Sequence, residues 1–121
     1  MFAGEVDLKT WYKPNIDKKT LKELSKRSDI KGLTDVSIFI VALILSGYLC
    51  IISWGTLWSI PALLLYGNIF YCKIISIQHE TNHETYFKTR ALNKFFYHIT
   101  SLLGGFEAVR WKWSHFHHHT Y

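Results

Sequence analysis

The distribution of charged and apolar residues divides the chain into three parts. From Val36 to Cys72 there is no Asp, Glu, Lys or Arg. An uncharged segment of this length suits two membrane-spanning helices of about 20 residues each. The segments before and after it are polar and charged. The pattern predicts an all-α membrane protein with a cytoplasmic lead-in at 1–35, a transmembrane helical hairpin at 36–77 and a cytoplasmic or interfacial region at 78–121.

The hairpin has recognisable limits in the sequence. We expect the first span at Val36–Trp54, with Asp35 as its N-cap, and the second at about Leu57–Ile77. Gly55 suits the turn between them, and Pro61 is tolerated in the first turn of the second helix. Both outer flanks of the hairpin are basic. The positive-inside bias therefore predicts an integral membrane protein with both termini in the cytoplasm.

A short helix is predicted in the lead-in. Asp17 or Asn15 is a plausible cap for a helix at Lys18–Arg27, with Leu21 and Leu24 as a thin apolar stripe. We expect this segment to be solvated and to lie near the membrane surface.

Residues 91–103 predict a second kind of helix. Their apolar residues recur at i, i+3, i+4 and i+7, which gives a helix with one apolar face. At 13 residues it is too short to span a bilayer, so we expect it to lie in the interface until Gly104-Gly105 ends it. The run Arg110-Trp111-Lys112-Trp113 suits lipid headgroups. The apolar positions are Leu92, Phe95, Phe96, Ile99, Leu102 and Leu103.

Composition changes this picture only in detail. The chain has 121 residues, enough for one domain, and it is 49% hydrophobic but only 19% charged. Cys50 and Cys72 both fall within the uncharged block, so we interpret them as buried apolar residues rather than as a disulfide. We expect no nucleic-acid partner.

The candidate chemistry lies in the histidines, all seven of which follow the second predicted span. His79 and His83 are four residues apart and share one face of a helix. We call His79–His83 the first histidine box and His115–His119 the second. In the second box, His115, His118 and His119 are spaced i, i+3 and i+4 and share one helix face. His117 lies about 200° round the helix from His115. Neutral imidazole suits iron, zinc, copper or nickel. The predicted metal ligands are His79, His83, His115, His118 and His119.

One alternative explains the first box alone. His79-Glu80-Thr81-Asn82-His83 fits the H-E-x-x-H pattern of zinc proteases, in which the two histidines bind zinc and Glu80 would activate water. Such a site needs one more ligand, yet the second box offers three imidazoles. This excess favours a site for two metals over a membrane zinc metalloprotease.

Taken together, the boxes resemble those of the membrane fatty acid desaturases and their hydroxylase relatives. The similar features are H-x-x-x-H after a second span and W-x-W-S-H-x-x-H-H-T at residues 111–120. The resemblance extends to Leu24–Asp29, to Phe87-Lys88-Thr89-Arg90 and to Asn93. It implies a histidine-ligated di-iron centre, formed by the five predicted ligands, that uses dioxygen on an acyl chain of a membrane lipid. It also implies an external electron donor of the ferredoxin or cytochrome type.

The chain departs from the family in two places. Gln78 and Glu80-Thr81-Asn82 replace the aromatic and small residues often found around the first box, which bears on substrate shape. The family also has another pair of spans and a third histidine box, whereas this chain ends at Tyr121. We therefore expect an incomplete fragment of a lipid-metabolism oxidoreductase that is inactive alone. A non-catalytic remnant is the further alternative.

The remaining polar residues near the boxes have weaker predicted roles. We expect His98 to be structural and His117 to make no metal contact. Four side chains are candidates to orient imidazoles as hydrogen-bond acceptors, although each also fits a solvated surface. They are Glu80, Asn82, Glu84 and Glu107.

Overall fold

The computed structural model of the protein describes residues 16–120. All regular secondary structure in this range is helical, which confirms the predicted all-α class. The helices are α1 (Lys18–Leu24), α2 (Asp29–Ile52), α3 (Ser59–Asn82), α4 (Arg90–Leu103) and α5 (Ala108–Thr120). Helix α3 is central, because both α2 and α4 pack against it.

Helix α1 is shorter than predicted. Asp17 caps it by accepting hydrogen bonds from the backbone N–H groups of Lys19 and Thr20, and Asn15 lies outside the described residues. The helix ends at Leu24 rather than at Arg27. Leu21 and Leu24 are both exposed, so they make no buried contacts that would stabilise a longer helix.

Helix α2 begins seven residues before the predicted first span. Its N-cap is Ser28, whose hydroxyl accepts from the Lys31 N–H, so the prediction of Asp35 as the cap was wrong. No residue between 29 and 35 breaks a helix, and Gly32 lets the fully buried Phe87 ring approach the helix backbone. Asp35 instead lies inside the helix. There it pairs with Lys73 at 2.6 Å and accepts a hydrogen bond from the Tyr86 hydroxyl.

Helix α3 continues past the predicted end of the second span. Gly55 has φ +77° in the turn, and Pro61 is the third residue of the helix, as expected from the sequence. The helix does not stop near Ile77 but runs to Asn82, with His83 as its C-cap. The first histidine box is therefore a direct extension of this helix. By length and composition, α2 and α3 are both able to cross a membrane.

The small apolar core lies where α2, α3 and α4 meet. Val36, Ile77 and Phe87 are its buried members, and partly buried hydrophobic side chains surround them. The segment 83–89 enters this core because Asn93 accepts from the Phe87 N–H at 3.1 Å and donates to the Phe87 carbonyl at 2.8 Å. The surrounding side chains are Phe39, Tyr86, Leu92 and Phe96.

Helix α4 occupies nearly the predicted range, but most of its fully buried residues are polar. The buried residues of α4 are Asn93, Tyr97, Thr100 and Ser101. Much of the predicted apolar stripe faces outward, since Phe95, Ile99, Leu102 and Leu103 are exposed. Gly104 ends the helix, and Gly105 adopts φ +74° in the turn that leads to α5.

Candidate metal centre

The first histidine box lies at the end of α3. His79 is half-buried within the last turn and His83 is the C-cap, and their ring centroids are 4.8 Å apart. Ile77, Gln78 and Thr81 on this turn are buried against neighbouring elements. His79 and His83 therefore lie on one face, as predicted, at a well-packed end of α3.

Helix α5 brings the second box to the first. The His115 Nε2 atom lies 3.0 Å from His83 Nε2 and 3.0 Å from His119 Nε2. One donor nitrogen from each of four histidines falls within 4.8 Å of all the others. The two boxes, 32 residues apart in sequence between His83 and His115, therefore form one cluster. We call His79, His83, His115 and His119 the four-histidine cluster.

The contacts at His115 Nε2 exceed what ordinary hydrogen bonding satisfies. A ring nitrogen of neutral imidazole carries either one proton or one lone pair. It therefore makes a single well-aligned hydrogen bond, yet His115 Nε2 has two imidazole nitrogens at 3.0 Å. A cation receives lone pairs from several nitrogens at once. The crowding of donors at this point fits a metal ion better than a set of histidine–histidine hydrogen bonds.

The pKa shifts of two cluster histidines, His83 and His115, also suit metal binding. Burial lowers the pKa of His83, and the neighbouring His79 and His119 lower it further. Burial likewise lowers the pKa of His115, and the neighbouring His79 and His119 lower it further, followed by His83 and His118. Both shifts favour neutral imidazole, which is the form that binds metal.

His118 is the one predicted ligand that does not join the four-histidine cluster. Its ring centroid lies 6.5 Å from that of His115 and 5.8 Å from that of His119. It is exposed on α5, next to the cluster rather than inside it. Metal binding by His118, as by the other four histidines, stays a prediction.

The other two histidines lie outside the cluster. His98 is on α4, where its ring makes an edge contact with Tyr97 at a centroid distance of 5.5 Å. His117 is exposed on α5 and is not among the four grouped imidazoles.

Three of the four candidate acceptors have other partners. The Glu80 carboxylate accepts from the Thr85 hydroxyl at 2.7 Å, and Glu84 pairs with Arg90 at 2.8 Å. Glu107 accepts from the N–H groups of Val109 and Arg110 at the start of α5. These contacts support the chain around the histidines rather than an imidazole directly.

Three buried amide atoms near the first box have no hydrogen-bond partner within residues 16–120. Gln78 is fully buried, and neither its side-chain nitrogen nor its oxygen bonds to a described residue. The Asn82 Oδ1 atom is also buried and unpaired among the described residues. Such groups normally have a partner, so this part of the α3 surface has unused hydrogen-bonding capacity next to the cluster.

Sequence reasoning missed the role of Trp111. We predicted that it would face lipid headgroups, together with Trp113. Instead its ring stacks on His115 with a centroid distance of 4.5 Å and an interplanar angle of 12°. The i, i+4 spacing of Trp111 and His115 on one helix was the available signal.

The donor set determines which ions fit. Four imidazole nitrogens suit zinc, copper, iron or nickel, and the cluster includes no carboxylate among the described residues. Comparison of the chain with family models, with curated proteins and with solved structures found no match, so its function has to be inferred from the geometry of these four imidazoles.

Proposed function

We propose that this protein is a membrane-bound, metal-dependent oxidoreductase of the fatty acid desaturase and hydroxylase type, acting on the acyl chain of a lipid. The observation that carries the proposal is the convergence of two histidine boxes at the end of the second long apolar helix. When bound, iron would supply the oxidising power, drawn from dioxygen, to remove hydrogen from an unactivated methylene. No side-chain acid or base is strong enough for that reaction.

The outer surfaces of α2 and α3 support the membrane part of the proposal. Large apolar side chains cover both helices and are exposed, among them Ile38, Ile44, Ile51, Ile60 and Leu64. So much apolar surface is costly in water and favourable in lipid. We propose that α2 and α3 form an integral membrane hairpin and that its basic flanks keep both termini in the cytoplasm.

The four-histidine cluster would hold the first metal ion. Its four donor atoms fit around one ion, because they all lie within 4.8 Å of one another. A second iron would require His118 together with donors that residues 16–120 do not bring to this point. The electrons would come from an external ferredoxin- or cytochrome-type donor.

The exposed apolar face of α4 suits a lipid substrate or the bilayer surface. Phe95, Ile99 and Leu102 are exposed on a helix that packs directly against the histidine-bearing α3. This arrangement supports a lipid rather than a water-soluble substrate.

The zinc protease alternative has less support from the geometry. In that mechanism Glu80 must be available to activate a water molecule on a metal with an open position. Here its carboxylate bonds to Thr85, and four imidazoles rather than two converge. Zinc-dependent peptide cleavage is therefore an outcome that the following experiment tests against.

The test combines metal content with lipid oxidation. The chain is purified in lipid nanodiscs, loaded anaerobically with ferrous iron and assayed for bound iron. It is then supplied with a reductant system, dioxygen and an acyl lipid. We expect alanine at His79, His83, His115 or His119 to remove most of the iron, whereas His98→Ala serves as the matched control and retains it.

The outcomes bear on the hypotheses in turn. Dioxygen-dependent lipid oxidation that is lost with the cluster histidines supports the oxidoreductase. Bound iron without product fits both the expected fragment that is inactive alone and a non-catalytic remnant. Tight binding of zinc, together with peptide cleavage that depends on Glu80, would favour the protease. If the alanine variants of the cluster histidines keep their full metal content, the proposed metal centre is wrong.

A further inference from the structure

Trp111 contacts the four-histidine cluster although its side chain is not a metal ligand. Its ring is stacked on His115 and also meets the edge of His79 at a centroid distance of 6.4 Å. It therefore touches one imidazole from each histidine box. Aromatic rings in such stacked and edge-on arrangements attract each other beyond simple burial.

Several contacts fix the part of the chain that carries Trp111. The backbone N–H of Trp111 donates to the Glu107 carbonyl at 2.9 Å in the first turn of α5. The Glu107 carboxylate caps that turn. The Phe106 ring packs edge-on against Trp111 at 6.1 Å. From α4, the Tyr97 hydroxyl donates to the Ala108 carbonyl at 2.6 Å. These hydrogen bonds hold the backbone at the start of α5, and the Phe106 ring contacts the indole itself.

The stacked indole limits how the His115 ring can turn. An imidazole joined to the backbone through two rotatable bonds has broad freedom about the second of them. A flat ring held 12° from parallel over one face removes much of that freedom. With its plane held, His115 keeps Nε2 directed toward both His83 and His119.

Trp113 provides a direct comparison within the same helix. It is two residues further on and is 69% exposed, and its ring contact is with Phe116 at 6.4 Å rather than with a cluster histidine. The two tryptophans share a tetrapeptide and a residue type, but only one of them touches the cluster. Any effect common to both reflects loss of a tryptophan from α5 in general.

We propose that Trp111 is a positioning residue for the metal centre, which orients His115 by stacking and bridges the two histidine boxes. The inference rests on the proposed function, because it assumes that the cluster binds metal. It goes further by giving a role to a side chain that neither binds metal nor reacts.

The experiment uses cobalt(II) as the probe, because its absorption spectrum reports the arrangement of the ligands. The full chain in nanodiscs is titrated with cobalt(II), and Trp111→Leu, Trp111→Phe and Trp113→Leu are compared with the parent. We expect Trp111→Leu to weaken cobalt binding about 10-fold and to alter the spectrum, as is typical when a residue that orients a metal ligand is lost. Trp111→Phe should recover part of the cobalt affinity and part of the parent spectrum. Trp113→Leu should match the parent in affinity and spectrum.

A second measurement keeps the inference testable if Trp111→Leu does not fold. Paramagnetic cobalt quenches nearby indole fluorescence, so the parent should lose more emission on binding cobalt than Trp111→Phe does. Trp113→Phe should be quenched to the same absolute extent as the parent.

Each outcome bears on a different claim. Parent-like affinity and spectrum in Trp111→Leu would overturn the positioning role, as would quenching in Trp111→Phe equal to that in the parent. If His115→Ala abolishes cobalt binding in the same series, the metal centre itself stands. If the parent binds no cobalt, or if His115→Ala binds it equally well, both the metal centre and the inference fail.

Discussion

The two histidine boxes are supported very differently by the rest of the molecule. The first lies on the last turn of α3, whose inner face is buried, and is followed by a segment that anchors the fully buried Phe87. The second lies on α5, in which no residue is buried in the described structure. The first box is therefore set by the fold. The second depends on a few contacts, chiefly those of Trp111 and the bond between Tyr97 and Ala108.

This difference suggests how the centre is assembled. A helix with a buried face keeps its position through many apolar contacts, whereas an exposed helix of 13 residues has little stability of its own. Metal binding at the shared cluster would then stabilise mainly α5. The following predictions test that asymmetry, starting with the largest expected effect.

Replacement of Asn93 by alanine should remove the support of the first box. Its side chain makes the hydrogen bonds that hold the Phe87 backbone inside the core, and Asn93 is itself buried. Leaving a buried N–H and C=O unpaired costs about 1–3 kcal/mol each, so we expect a loss of about 3 kcal/mol. Thermal unfolding in detergent measures it, with the exposed Lys94→Ala as control. Equal stability of the two variants would contradict the asymmetry.

Metal loading should protect α5 more than α3. At a free metal concentration of about 100 times Kd, binding stabilises the bound state by about 2.7 kcal/mol. Hydrogen exchange followed by mass spectrometry should show this as slower exchange in 108–120 and little change at the end of α3, in 76–82. A chelator should reverse it. Equal slowing of both segments would mean that the first box is no more preformed than the second.

Alanine at Gly32 should disturb the base of the first box through packing. A Cβ at this position would lie 2.6 Å from two carbons of the Phe87 ring, and the Tyr86 carbonyl is also close at 3.1 Å. Overpacking of this kind typically costs about 1–3 kcal/mol. Gly67→Ala is the matched control, because nothing lies within 4 Å of its Cβ. It should leave the unfolding temperature unchanged or raise it.

Tyr97→Phe should have the smallest effect on global stability and a local effect on α5. It removes only the hydroxyl that donates to the Ala108 carbonyl, a bond of the kind that contributes about 1 kcal/mol. We expect faster hydrogen exchange at the start of α5, with α2 and α3 unchanged. If the exchange of α5 were unaffected, the second box would have a source of support beyond these contacts.

At their charged ends, both long helices extend beyond the predicted membrane spans for one physical reason. Asp35 looks like a cap because charge stops there, yet Ser28 begins the helix and Asp35 finds partners on α3 and in the following segment. The second span is predicted to end near Ile77 because the polar residues of the box begin there. In the structure the helix continues to Asn82, since Gln78 and Thr81 are buried against other elements. Charge predicts where a segment meets water, not where a helix ends.

The sequence by itself determined the helical class, the two long apolar helices, the range of α4 and the common faces within each histidine box, because these follow from short-range periodicity. Only the tertiary structure decided which histidines meet. It brought His79, His83, His115 and His119 together, left His118 beside them, and turned Trp111 to the cluster but Trp113 outward. These outcomes depend on how α4 and the turn at Gly105 direct α5 back to α3. Spacing along one helix fixes the angle between its side chains, but it carries no information on where a second helix lies.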